Sequence, residues 1–141
     1  MFEKVRVTKR TTFEAAHNLK GYEGKCSRLH GHSYKLEVTV SGFIDTKNIH
    51  EQFVSGEDYS PYEGMVIDFS SLKKVIKEVT DKYDHSNLND HFIIPTAEYM
   101  VVTIFRELSA KLSSSVKLES VKLWETEDSY AEYTGEVRRD S

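Results

Sequence analysis

With 141 residues, 38% hydrophobic and 30% charged, the chain suits one compact soluble domain over residues 1–141 and is too short for two. Its net charge of −4 argues against a nucleic-acid binder, which usually carries a basic face, and no apolar run approaches the ~20 residues that span a bilayer. The start, Met-Phe-Glu-Lys-Val-Arg-Val, lacks the apolar core of a secretion signal, so a cytoplasmic location is expected, and the lone Cys26 excludes an intrachain disulfide.

Residues 2–14 alternate loosely, with Phe2, Val5, Val7 and Phe13 among Lys4, Arg6, Thr8 and Arg10, which predicts a strand with one buried face. Gly21 to Gly24 reads as a loop. From His32 a stronger alternation sets Tyr34, Leu36, Val38 and Val40 against Ser33, Lys35, Glu37 and Thr39, and Gly42 is expected to end this second strand. Residues 44–63 show no period and are expected to form an extended surface connection, with Tyr59 and Tyr62 as its points of attachment.

Helical spacing follows over 68–83, with Phe69, Leu72, Ile76, Val79 and Tyr83 in one stripe and Asp68 or Ser70 as cap. Lys73, Lys74, Lys77 and Lys82 are its solvated face. After a polar loop over 84–90, Thr96 is placed to cap a second helix whose stripe is Val101, Ile104, Phe105, Leu108 and Leu112. Val116, Leu118, Val121 and Leu123 mark a third strand, and residues 129–138 a fourth. The class is α+β: a four-stranded antiparallel sheet with two helices on one face.

His30-Gly31-His32 opens the second strand. Residues two apart on a strand face the same side, so both imidazoles can reach one point. His17, beside Ala15 and Ala16 at the end of the first strand, can join them if the strands pair antiparallel. Three neutral imidazoles leave a fourth position open, the pattern of a catalytic Zn2+ site. An His-x-His pair alone is weak evidence, since surface pairs also take up metal adventitiously; His50 and His91 lack comparable surroundings and read as ordinary loop histidines.

Cys26 lies four residues before His30 among Lys25 and Arg28. A lone cysteine is often a small buried hydrophobe, but cations beside a thiol favour the thiolate and hence a general base. Asp84-His85 is a carboxylate-supported imidazole able to take and return a proton, although such dipeptides are common in loops. Glu125 falls where the third strand ends, a place where a glutamate is ordinarily just solvated. For Glu98, in the first turn of the second helix, the helix dipole is explanation enough.

Taken together, Phe13-Glu-Ala-Ala-His17, Cys26-Ser-Arg-Leu-His30-Gly-His32, Gly64-Met-Val-Ile-Asp-Phe69, Asp84-His-Ser-Asn-Leu-Asn89, Pro95-Thr-Ala-Glu98 and Glu125-Thr126 resemble the 6-pyruvoyl-tetrahydropterin synthase superfamily, in its order and across nearly the whole chain. The resemblance implies His17, His30 and His32 as zinc ligands, Cys26 as the catalytic cysteine, and Asp84 with His85 as the proton-transfer pair. It implies that Glu125 accepts hydrogen bonds from the 2-amino group and ring N–H of a pterin, with Thr96 and Glu98 in support. It also implies the tunnelling fold, in which sheets of a homotrimer or homohexamer join into a barrel with active sites between subunits.

Within that family the chain looks most like bacterial 6-carboxy-5,6,7,8-tetrahydropterin synthases of the queuosine and 7-deazapurine pathway. These convert 7,8-dihydroneopterin triphosphate to 6-carboxytetrahydropterin with release of acetaldehyde and triphosphate. The alternatives are 6-pyruvoyl-tetrahydropterin synthesis at the same site, a non-catalytic pterin- or metal-binding relative, or a structural oligomer. Lys20, Lys25, Arg28 and Lys35 are placed to receive the triphosphate or are simply solvated. Two features depart from the family pattern: Tyr99 stands where asparagine is usual, and the connection over 44–63 is long.

Overall fold

The computed structural model describes residues 1–47, 49 and 60–140. Its elements in chain order are β1 (Phe2–His17), β2 (His30–Asp45), α1 (Phe69–Thr80), β3 (Ser86–Asn87), α2 (Ala97–Lys111), β4 (Lys117–Thr126) and β5 (Ser129–Tyr133). The sheet order is β3-β1-β2-β4-β5, with the β1–β2, β2–β4 and β4–β5 pairs antiparallel.

The expected four-stranded antiparallel sheet is therefore a mixed five-stranded one. The additional strand, β3, pairs parallel with β1 through only Ala15–Ser86 and Ala16–Asn87. Two residues carry no period, so nothing in the local pattern announces a strand; this pairing is set from outside, by the turn that precedes it.

β1 and β2 are longer than their alternation suggested. They pair without interruption from Phe2–Asp45 to His17–His30. Gly42 does not end β2 but lies within it, paired with Val5 in the unbroken ladder; the glycine makes room for Val66, whose Cγ1 a Cβ there would meet at 3.0 Å. The expected connection over 44–63 thus leaves the sheet only after Asp45, and Pro61–Gly64 forms a short 3-10 turn. Residues 48 and 50–59, with His50 and Tyr59, lie outside the described residues. Tyr62 is exposed rather than a point of attachment.

One sheet face forms the core. Phe13, Tyr34, Leu36, Val38 and Val40 meet Leu72, Ile76 and Val79 of α1 and Met100, Val101, Ile104 and Leu108 of α2. The Asp68 carboxylate caps α1 by accepting from the Ser70 N–H at 3.0 Å; Phe69, expected in the buried stripe, is half exposed at the first turn. Leu118 and Val121 both reach the core although three apart. A register shift opposite Thr39 and Val40 absorbs the extra residue. The opposite face is polar, with Arg10 Nε 2.7 Å from Glu37, and Lys4 3.1 Å from Glu119.

Candidate metal centre and surrounding site

The β1–β2 pairing places His17 directly opposite His30, with His32 two residues along the same face. That face is the core face, and His17 is only 1% exposed. The reactive nitrogens converge: His17 Nε2 stands 3.1 Å from His30 Nε2 and 3.1 Å from Glu125 Oε1. His32 Nε2 also lies 3.1 Å from Glu125 Oε1, but without hydrogen-bond geometry, so this buried nitrogen has no hydrogen-bond partner among the described residues. All four donor atoms fall within 4.8 Å of one another.

The outer nitrogens determine what the inner ones are. His17 Nδ1 is 2.8 Å from the Pro95 carbonyl, and His30 Nδ1 is 2.6 Å from the Arg28 carbonyl. A carbonyl only accepts, so each Nδ1 carries the ring proton, and in a neutral ring each Nε2 is a bare lone pair. The His17 lone pair then faces the His30 lone pair and a carboxylate oxygen of Glu125, each 3.1 Å away, with no proton between them. Such an arrangement repels itself unless a cation lies at its centre. Ligand atoms of a tetrahedral zinc stand about 3.3 Å apart for metal–nitrogen bonds of about 2.0–2.1 Å, close to the 3.1 Å of the His17–His30, His17–Glu125 and His32–Glu125 pairs. The residues therefore fit a divalent metal. Burial also holds the His32 imidazolium below its usual range; Glu125 opposes this, while His17 and His30 add to it.

Glu125 reaches the histidines from a second bulge, where the β4–β5 register shifts between Trp124 and Thr126. A bulge re-aims the side chain it carries. Sequence reasoning put Glu125 near the site but not its contact with the rings; no local pattern marks it. The Arg28 and Pro95 carbonyls were also missed. Arg28 lies two residues before His30, but Pro95 is 78 residues from its partner.

The Asp84–His85 pair docks on the outer edge of β1 at a single residue, Glu14. Asp84 Oδ1 accepts the Glu14 N–H at 2.9 Å, and the His85 N–H donates to the Glu14 carbonyl at 2.5 Å. His85 Nδ1 lies 3.1 Å from Asp84 Oδ2. The Glu14 N–H, with smaller help from His85, holds the Asp84 carboxyl below the usual carboxylate range. His85 is the one non-glycine residue with positive φ (57°) among those described, a strained conformation that these contacts enforce.

An open cavity of about 430 Å³ is bordered by Glu14, His32, Ser33 and His85. Gly31 also borders it. A Cβ there would make only ordinary contact, 3.7 Å from the Ala15 carbonyl, so its lack of a side chain leaves room in the cavity rather than answering a packing need. A second open cavity, of about 410 Å³, is bordered by Glu98, Glu125 and Tyr130. Thr96 Oγ1 caps α2 by accepting the Tyr99 N–H at 3.3 Å, which leaves its own proton free to donate. Cys26 lies in a short 3-10 turn over Lys25–Ser27, its carbonyl accepting the Leu19 N–H at 2.7 Å, and it borders neither cavity. The structure thus joins His17, His30, His32 and Glu125 in one cluster, brings Asp84–His85 to a cavity shared with His32 and Glu98 to one shared with Glu125, and does not bring Cys26 into contact with any of them.

Comparison with known proteins agrees with this geometry. Residues 6–136 match the family model described as 6-pyruvoyl tetrahydropterin synthase. The chain belongs to the 6-pyruvoyl tetrahydropterin synthase family. The 6-carboxy-5,6,7,8-tetrahydropterin synthase of Haemophilus influenzae is 34% identical, covering 91% of this chain and 97% of that protein. The dihydroneopterin monophosphate aldolase of Pyrococcus furiosus is 36% identical, covering 86% and 90%. The structure of Caenorhabditis elegans 6-pyruvoyl tetrahydropterin synthase superposes with a TM-score of 0.75 at 28% identity, covering 95% of this chain and 97% of that one. The family's tunnelling fold is thereby the fold of this chain. No helix among the described residues is long and apolar enough to cross a membrane.

Proposed function

We propose that this member of the synthase family is a 6-carboxy-5,6,7,8-tetrahydropterin synthase. It converts 7,8-dihydroneopterin triphosphate to 6-carboxytetrahydropterin, acetaldehyde and triphosphate in 7-deazapurine synthesis, as a cytoplasmic homo-oligomer. The observation that carries the reading is the convergence of the Nε2 atoms of His17, His30 and His32 on one point. Similarity to the Haemophilus synthase supports the choice of reaction.

In this reading His17, His30 and His32 hold zinc, which supplies polarisation of the substrate's side-chain oxygens. Glu125 and Glu98 accept the N–H edge of the pterin, with the Thr96 hydroxyl donating beside them. Asp84 accepts from His85 Nδ1, which fixes the ring so that Nε2 takes and returns a proton. The Cys26 thiolate removes a proton from the substrate. The two cavities border different members of this set, consistent with a site completed by neighbouring subunits.

A second reading is favoured by the Pyrococcus relative, which is as similar to this chain as the Haemophilus one: an aldolase acting on dihydroneopterin monophosphate. Incubation of the zinc-loaded protein with each phosphate ester, followed by mass analysis, tests both. A 6-carboxy pterin with acetaldehyde from the triphosphate is expected. Turnover of the monophosphate alone supports the aldolase instead, and a 6-pyruvoyl product assigns the third activity of the family.

A further inference from the structure

Glu125 belongs to two settings at once. Its Oε1 stands 3.1 Å from both His17 Nε2 and His32 Nε2, inside the cluster that suits a metal. The same residue borders the second cavity beside Glu98 and Tyr130, and its side chain is 31% exposed. Its place at the β4–β5 bulge frees it from the sheet's strict alternation, so the carboxylate stands on the partition between the cluster and the cavity.

One carboxylate cannot serve both settings fully. A flat ring edge with two N–H donors needs both oxygens, whereas Oε1 is committed to the histidine cluster. We propose that Glu125 is an exchangeable fourth metal ligand, closing the centre in the substrate-free protein and leaving it when a pterin enters the neighbouring cavity. A coordination position then opens only when substrate is present. The identity of the cavity's occupant rests on the pterin reading above; the ligand role of Glu125 does not. Because linkage is reciprocal, a pterin that removes a ligand weakens metal binding by the same factor by which the metal weakens pterin binding.

The test measures zinc affinity by chelator competition for the wild type, Glu125→Gln and Glu125→Asp. Each is measured with and without pterin itself, a ring with no side-chain hydroxyl to bring to the metal. Glu125→Gln is expected to weaken zinc by about 10–100-fold, the range for groups that tune a metal site, with Glu125→Asp in between. Saturating pterin is expected to weaken zinc in the wild type by several-fold and to leave Glu125→Gln unchanged. Wild-type zinc affinity in folded Glu125→Gln, or in Glu125→Asp should the first fail to fold, overturns the ligand role and the proposal with it. Pterin binding to the wild type without any change in zinc affinity overturns the exchange alone. Absence of pterin binding overturns the exchange together with the pterin reading, a case told apart because the zinc arm is read without pterin.

Discussion

His17 and His30 face each other across the β1–β2 pair with their Nε2 atoms 3.1 Å apart, and each has its ring proton on the far nitrogen against a backbone carbonyl. Cross-strand neighbours normally stabilise a sheet by packing or by a hydrogen bond. These two rings pack edge to face with centroids 4.7 Å apart, but with each ring proton on the far nitrogen no hydrogen bond joins the facing Nε2 atoms, and their geometry makes sense around a cation.

Metal should therefore stabilise the fold. A ligand that binds only the native state at 1,000 times its dissociation constant adds about 4 kcal/mol. In a chain of this size that raises the melting temperature by on the order of 10 °C. Scanning calorimetry of chelator-stripped protein with and without zinc checks this; coincident transitions would count against a native site.

Replacing Cys26 should separate chemistry from metal binding. Cys26 lies in the 3-10 turn before β2, outside the four-residue cluster, so Cys26→Ala is expected to keep zinc and fold normally. A general acid or base contributes about 10²–10⁴-fold, and kcat should fall by that order with the triphosphate substrate. Wild-type turnover in this variant would remove the cysteine from the mechanism.

Asp84 links pH to stability. Its carboxyl is held below the ordinary 3.8, chiefly by the Glu14 N–H. A depressed carboxylate contributes stability that is fully present above its unfolded value and lost as pH falls through the lower folded value. Acid denaturation should thus be less steep in Asp84→Asn below about pH 4. The same variant should lose activity near neutral pH, where His85 lacks its charged partner. Identical acid titrations of stability for the two proteins would show that the Glu14 contact does not favour the carboxylate.

Both sheet edges bear on assembly. Along residues 2–14 the outer side of β1 has no strand partner among the described residues, and β5 ends the sheet on the other side. Free edges invite pairing, and joining sheets into a barrel removes them. Sedimentation at micromolar concentration is expected to give a trimer or hexamer. An active monomer would contradict the barrel.

Much of this was legible in the sequence because two periods carry it. The alternation from His32 to Val40 assigns the core face of β2 and so sends His30 and His32 the same way, while Asp68 and Thr96 mark the helix starts as cap residues do. What was not legible depends on contacts between distant segments. β3 exists because the strained turn at His85 docks on Glu14, Gly42 stays in β2 through its pairing with Val5 and leaves room for Val66, and Glu125 turns toward the histidines at a bulge. The Pro95 carbonyl that fixes the His17 tautomer leaves no trace in the spacing of either residue.

The most direct measurement is zinc per chain after equilibrium dialysis, for the wild type and for the double variant His30→Ala/His32→Ala, with folding checked by circular dichroism. One zinc per wild-type chain and none retained by the folded double variant is the expected result. A wild type that stays metal-free in excess zinc, or a folded double variant with full stoichiometry, would contradict the assignment of His17, His30 and His32 as the metal centre.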